Sequence, residues 1–210
     1  MHDEVMYTGS LFQVIRRKER FTVPIDDEEK HVDIEYELAK RPPGVRAIVI
    51  QNGKLLLNRE FRYELNGWDY RLPGGKVFDT QKQAQVSNHK NGEEMMQYVE
   101  QALMKELWEE ADLKVRNYSL YECSHNGFTV EWDLYYYIVD EFESFGKQKD
   151  CPEQQSKFEY IQPCWVDYGT VLQYCIDKKI SEERSVGVLL RFLLSQITDG
   201  EEKNALFKKK

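Results

Sequence analysis

The chain has 210 residues, 41% of them apolar, and a formal net charge of −8. That length suits one large domain or a domain with a small extension, and the apolar share excludes a chain disordered throughout. The acidic balance excludes non-specific binding of nucleic acid through charge.

A signal peptide pattern is absent, as is any apolar run near the roughly 18 residues of a membrane span. Four cysteines (Cys123, Cys151, Cys164 and Cys175) make no C-x-x-C pair and show no metal-type spacing with histidine. The expectation is a reduced, cytoplasmic protein with free thiols and no membrane or nucleic-acid partner.

In chain order, Leu11 to Ile15 and Val32 to Leu38 alternate apolar and polar residues, which predicts half-buried strands. Arg16 to Arg20 reads as a basic turn and Asp26 to Lys30 as an acidic one. Lys40-Arg41-Pro42-Pro43-Gly44 breaks the chain and sets the boundary of a small N-terminal β-subdomain, residues 1–41. Val45 to Ile50 and Leu55 to Tyr63 are strands joined across Asn52-Gly53, a strong hairpin signal. Trp68 to Leu72 leads into Pro73-Gly74-Gly75. The stretch 77–91 is rich in Gln and Asn and has no period, so it reads as an exposed inserted loop.

Gly92 opens a helix running to about Ala111, with Met95, Val99, Ala102, Leu103 and Leu107 at helical spacing. Tyr118 to Cys123 is a short strand, Ser124 to Phe128 a turn, and Thr129 to Val139 one strongly β-forming strand. Glu141 to Lys157 is a charged loop, and Tyr160 to Val166 a last strand. Helices follow at 169–178 and 182–197, then a charged tail at 201–210. Strands, one long helix, more strands and closing helices predict an α/β fold of α+β character, an α/β/α sandwich with a mixed sheet.

The chemistry concentrates at Lys105-Glu106-Leu107-Trp108-Glu109-Glu110-Ala111-Asp112-Leu113. Glu106, Glu109 and Glu110 stand at i, i+3 and i+4, one face of a helix. Near its C-terminal end they also oppose the dipole, so a cation belongs there. Carboxylates suit a hard ion such as Mg²⁺, which keeps waters and substrate phosphates as its other ligands. A solvated acidic face is the bland alternative, and Pro73-Gly74-Gly75 weighs against it by supplying bare carbonyls.

At these residues the chain resembles the Nudix hydrolase family, whose signature is G-x5-E-x7-R-E-U-x-E-E-x-G-U, with U aliphatic. Lys105 fills the Arg slot, Asp112 the Gly slot and Gln97 the first Glu slot. Flanking stretches resemble the ADP-ribose pyrophosphatase and nucleoside-diphosphate-sugar hydrolase branch. They are Arg41 to Val45, Arg59 to Tyr63 with Trp68 and Leu72 to Gly75, Ser124 to Glu131, and Asp177 to Ser185. Asn126 stands where that branch has proline in its loop, and the proline that marks the branch beyond the box is missing.

The resemblance implies a Nudix-type sandwich over residues 42–200 and Mg²⁺ or Mn²⁺ held by Glu106, Glu109, Glu110 and the Gly74 carbonyl. It implies Glu131 as general base, in a loop where Gly127 and Phe128 approach the nucleotide. Arg62, and more weakly Arg46, suit a diphosphate because guanidinium presents a planar fork. Each has a plain structural alternative: a surface Glu, a strand-surface Arg, a core aromatic. His125 has no metal partner evident in the sequence.

The activity implied is cation-dependent hydrolysis of a nucleoside diphosphate sugar such as ADP-ribose. The alternatives are a Nudix hydrolase of triphosphates or another diphosphate, and a catalytically silent nucleotide-binding domain. Residues 1–40 carry Phe12, Val14, Phe21, Val23, Val32, Ile34 and Tyr36, too little for a core of their own. With the branch's habit of pairing through its N-terminal strands, this predicts a homodimer.

Overall fold

The computed structural model describes residues 2–25, 28–87, 92–145 and 160–198. In chain order the elements are β1 (His2–Thr8), β2 (Gln13–Ile25), β3 (Glu28–Lys40), β4 (Gly44–Gln51), β5 (Lys54–Arg62) and β6 (Gly67–Arg71). Next come α1 (Gln81–Ser87), α2 (Gly92–Ala111), β7 (Leu113–Ser124), β8 (Val130–Glu131), β9 (Leu134–Ser144), β10 (Ile161–Asp167), α3 (Tyr168–Ile176) and α4 (Glu183–Thr198). Two sheets and four helices among the described residues make the mixed α+β class that the pattern of elements predicts. The chain divides into two compact units. One holds Met1–Val45, Gly75–Ala102 and Cys123–Tyr135, and the other holds Arg46–Gly74, Leu103–Glu122 and Tyr136–Lys210.

The first unit contains a four-stranded sheet in the order β1-β2-β3-β8. β2 and β3 pair antiparallel over their full length, from Gln13 opposite Lys40 to Ile25 opposite Glu28. The basic run 16–20 is therefore not a turn but the middle of β2. Arg17 meets Asp3 at 2.8 Å, Lys18 meets Glu35 at 2.8 Å and Arg20 meets Asp33 at 2.6 Å. Opposite charges facing each other across strands let a highly charged run stay extended. Of the expected acidic turn, Glu28 to Lys30 belong to β3, while residues 26–27 lie outside the described residues.

The segment 77–91 is not a uniform loop either. Gln81 to Ser87 form α1, with Gln81 and Ala84 buried; residues 88–91 lie outside the described residues. The signal for this helix is a capping box at Thr80-Gln81-Lys82-Gln83. The Thr80 N–H donates to Gln83 Oε1 at 3.0 Å, and the Gln83 N–H donates back to Thr80 Oγ1 at 3.3 Å. The Gln81 N–H donates to the Ser10 carbonyl at 2.8 Å, which ties the helix start to the β1–β2 connection.

The expected strand 129–139 is broken at Trp132-Asp133. Val130 and Glu131 pair in parallel with Ala39 and Lys40 of β3, and β9 begins at Leu134. The break is held by the Gly44 N–H donating to the Asp133 carbonyl at 2.9 Å and by the Arg41 guanidinium over the Trp132 ring at 3.9 Å. β9 then continues to Ser144, through residues expected to be loop, and β7 starts five residues before the expected Tyr118.

The second unit contains the larger sheet, ordered β10-β5-β4-β9-β7, with β6 paired to β5. β4 turns into β5 at Asn52 and Gly53, whose φ values of 50° and 72° are those of a tight left-handed turn. Leu55, Leu56, Leu57 and Asn58 of β5 are all buried. The C-terminal half of α2 buries Leu103 and Leu107. Asp167 caps the start of α3, its carboxylate accepting the Thr170 N–H at 2.9 Å. α4 buries Val188, Leu189, Phe192 and Leu193, the apolar stripe of an amphipathic helix. The tail 201–210 lies outside the described residues.

Thr80→Ala removes the hydroxyl that accepts the Gln83 N–H and leaves the Thr80 N–H bond to Gln83 Oε1 in place. The expected cost is about 1 kcal/mol, a fall of roughly 2–4 °C in the melting midpoint for a chain of this size. Thermal unfolding followed by circular dichroism measures it, and an unchanged midpoint would mean that the Thr80 hydroxyl adds nothing to stability.

Candidate active site

β5, the turn at Pro73-Gly74 and the last turns of α2 supply the parts of the site, all within the second unit. Glu106, Glu109 and Glu110 lie on α2 as the spacing predicts, each partly accessible. Glu110 keeps some surface, yet its carboxyl is densely surrounded. Its Oε2 accepts from Asn58 Nδ2 at 2.8 Å and from the Gly74 N–H at 2.9 Å. Gly74 has φ 141°, a conformation side chains rarely take, so the residue that aims this N–H is glycine for a backbone reason. What the structure sets against the carboxylate is thus the Gly74 N–H.

Burial pushes the Glu110 carboxyl up to about 8. The charge of Glu106 pushes it the same way, the Gly74 N–H opposes, Glu60 adds to the rise and Arg46 offsets part of it. Glu60 itself is raised, chiefly by burial, against the pull of Arg71, Arg62 and Arg46. Glu60 on β5 is therefore a further carboxylate of the site that the helix pattern does not reveal. Asn58 is another missed residue. Its signal is a lone amide at the end of the apolar run Leu55-Leu56-Leu57, where burying a polar group is costly unless it has work to do.

Arg46 lies on β4 and is buried against Glu182, with Nε donating to Oε2 and Nη2 donating to Oε1, both at 3.0 Å. For each member burial disfavours the charge and the partner outweighs it. The Arg46 guanidinium is raised, and the Glu182 carboxyl falls to about 2, helped by the Ser185 hydroxyl at 2.6 Å. The Arg46 fork is thereby committed to Glu182. Arg62 is more open: its Nε donates to Glu64 at 2.8 Å and its Nη1 to Glu60 at 3.4 Å. Lys105, in the signature's Arg slot, reaches Glu109 at 3.9 Å. Asp112, in the Gly slot, takes φ 53°, the left-handed residue that ends a helix and is usually glycine.

The chemistry of the donors suits a divalent cation: Glu110, Glu106 and Glu60 act on one another and offer only oxygen, the nearby Arg46 is paired with Glu182, and the buried Asn58 Oδ1 has no hydrogen-bond partner, while Glu109 faces Lys105. Among the described residues the oxygens of three glutamates do not converge within 4.8 Å of one another. The remaining expected residues belong to the first unit. Glu131 is held by Lys40 at 3.1 Å and Arg17 at 3.6 Å. Phe128 packs on Tyr36 with ring centroids 4.1 Å apart, and Gly127 sits in the turn beside it with open space where a side chain would be.

Glu182→Gln leaves the Arg46 charge partly buried without its partner. The expected loss is about 3 kcal/mol of stability at neutral pH, read from denaturant unfolding. Because the Glu182 pKa is depressed on folding, its contribution is complete above about 4.5 and fades as the pH falls toward about 2. The difference between wild type and variant shrinks over that window if the pair acts as described, and a difference that is flat with pH would contradict it.

The NUDIX domain family matches residues 40–183. No curated protein matches the chain. Among solved structures, one described as an ADP compounds hydrolase superposes with a TM-score of 0.57 at 16% identity, covering 96% of each chain. At that identity the likeness speaks for the fold. The family match spans well over half of the chain and contains the α2 glutamates, the Gly74 turn and the Arg46–Glu182 pair. The chain belongs to the NUDIX domain family.

Proposed function

We propose that the protein hydrolyses the diphosphate bond of a nucleoside diphosphate sugar such as ADP-ribose, releasing a nucleoside monophosphate and a sugar phosphate. The observation that carries this reading is the Glu110 carboxylate, fixed by Asn58 and Gly74 beside Glu106 at the end of α2. Glu106, Glu109 and Glu110 hold Mg²⁺ or Mn²⁺, with Glu60 adding negative charge. The cation, when bound, supplies charge neutralisation at the phosphoryl oxygens and a more acidic water.

The protein's own groups do the positioning. Asn58 and the Gly74 N–H fix one oxygen of Glu110. The Arg46–Glu182 pair keeps a buried positive charge from competing for the carboxylates. Arg62 can exchange Glu64 for a diphosphate oxygen, since that contact is exposed and weak. Glu131 is assigned as general base on the resemblance of its loop, with Gly127 and Phe128 on the nucleotide side. The sugar-linked substrate is favoured by the same resemblance and by the name of the similar solved structure. Hydrolysis of triphosphates is the second activity to test. A silent nucleotide-binding domain is disfavoured, because mutually repelling carboxylates have no use there.

The test is a panel of nucleoside diphosphate sugars and nucleoside triphosphates, with and without Mg²⁺, products identified by mass. Glu110→Gln is expected to lower turnover by about 10²-fold or more. A stability measurement separates this role from simple misfolding. The Glu110 pKa is raised on folding, so the apo wild type loses stability as the pH rises from about 4.5 through about 8. Metal-free Glu110→Gln is then the more stable protein at pH 8, and Mg²⁺ raises the melting midpoint of the wild type but not of the variant. Equal turnover, or an equal Mg²⁺ response, removes Glu110 from the site.

The partner we propose is a second copy of the chain, paired through the N-terminal strands. Val5, Met6, Tyr7, Ile25, Val32 and Ile34 are exposed on β1 to β3, an unusually apolar surface for a free hairpin. Light scattering at micromolar concentration is expected to return twice the chain mass, and a monomer mass overturns the pairing.

A further inference from the structure

The connection between β7 and β9 brings together three side chains that the reaction above does not use. Cys123 is the penultimate residue of β7, His125 directly follows that strand, and Asp133 directly precedes β9. One ligand atom from each lies within 4.8 Å of the other two. All three belong to the first unit. The Cys-x-His spacing puts two donors on one side of an extended segment, and the break at Trp132-Asp133 returns the third donor to them. In the sequence Asp133 stands eight residues from His125 inside what reads as a continuous strand, so no metal pattern is visible there.

We propose that Cys123, His125 and Asp133 form a binding site for a divalent transition metal of the zinc type, separate from the glutamate site.

The donor set argues for the class of ion. Thiolate, imidazole and carboxylate are a sulfur, a nitrogen and an oxygen, a mixture that suits Zn²⁺ or Co²⁺ and not Mg²⁺. Thiolate and carboxylate together balance the ion's two charges. The geometry needs only small movement. Donors around a tetrahedral zinc stand about 3.3–3.7 Å apart, as follows from bonds of roughly 2.0–2.3 Å. His125 Nδ1 and Asp133 Oδ1, now 2.6 Å apart, part by about 0.7 Å to admit an ion. Both side chains are substantially exposed and free to turn, at 72% and 40%.

A supporting group is in place. The part-buried Tyr135 hydroxyl is hydrogen-bonded with Cys123, the kind of outer contact that orients a ligand sulfur. Three protein donors leave a fourth position open. His125 and Asp133 also line a cavity of about 170 Å³ with Arg17, Phe128 and Glu131, so a water or small anion can complete the set. Occupancy would clamp the two arms of the β7–β9 connection, the segment that carries Gly127, Phe128 and Glu131, and stabilise it by mass action.

The experiment is a Co²⁺ titration of the full-length, reduced protein in saturating Mg²⁺, which fills the carboxylate site. The expected result is a thiolate-to-cobalt charge-transfer band in the near ultraviolet that saturates at one equivalent and is bleached by Zn²⁺. Cys123→Ser abolishes the band, Cys164→Ser keeps it, and Glu110→Gln keeps it. His125→Ala and Asp133→Asn each weaken Co²⁺ binding at least tenfold. His125→Ala is the safeguard should Cys123→Ser fail to fold, because the His125 side chain is mostly exposed. No band in the wild type, a band that survives in Cys123→Ser, or wild-type affinity in His125→Ala overturns the proposal.

Discussion

A carboxylate held away from water organises the candidate active site of this protein. Glu110 sits at the end of α2, where the helix dipole already disfavours negative charge, and Glu106 stands one turn before it. Asn58 and the Gly74 N–H meet one oxygen, which fixes the group in space without cancelling its charge. The result is a carboxyl whose pKa is pushed up to about 8, so the cation proposed to bind there would also displace its proton. The strand, the turn and the helix each supply one element of that arrangement. Gly74 needs its unusual φ to point an N–H, Asn58 accepts burial in an apolar strand, and α2 buries Leu103 and Leu107 to bring its acidic face into line.

The Arg46–Glu182 pair is the counterpart of this constraint. A buried arginine near an acidic cluster would fold onto it and act as a permanent counter-ion. Two 3.0 Å hydrogen bonds to Glu182, which the Ser185 hydroxyl also holds, satisfy the guanidinium elsewhere. In the proposed site the negative charge of the glutamates is then left for a divalent cation. Buried ion pairs add little net stability compared with apolar packing, so this one is better understood as keeping charges apart than as holding β4 to the start of α4.

The departures from the family signature have physical substitutes. Asp112 takes the left-handed conformation where the signature has glycine, a position that Asp tolerates better than most residues with a side chain. Lys105 makes a 3.9 Å contact with Glu109 in place of a guanidinium fork. Neither change touches Glu106 or Glu110. The transition-metal site proposed at Cys123, His125 and Asp133 depends on a different feature, the interruption of a strand, and uses softer donors for a softer ion.

Much of this was legible in the amino-acid sequence because local periodicity carries it. The span of α2 follows from apolar residues at helical spacing, the β4–β5 hairpin from Asn52-Gly53, and the glutamate face from i, i+3, i+4 counting. Gln81 to Ser87 reads as loop in the sequence, because its polar composition hides a helix whose signal is the capping box at Thr80 and Gln83 and in which Gln81 and Ala84 are buried. Other features needed partners far away in the chain. The length of β2 rests on ion pairs with Asp3, Asp33 and Glu35, so a charged run that looks like a turn becomes a strand. The break before Asp133 rests on Gly44 and Arg41. The raised pKa of Glu110 rests on desolvation and on Glu60, and the engagement of Arg46 rests on Glu182, 136 positions away. Spacing along a helix sets which carboxylates share a face. Burial and long-range pairing, which no local pattern encodes, decide which of them is desolvated and becomes the proposed metal ligand.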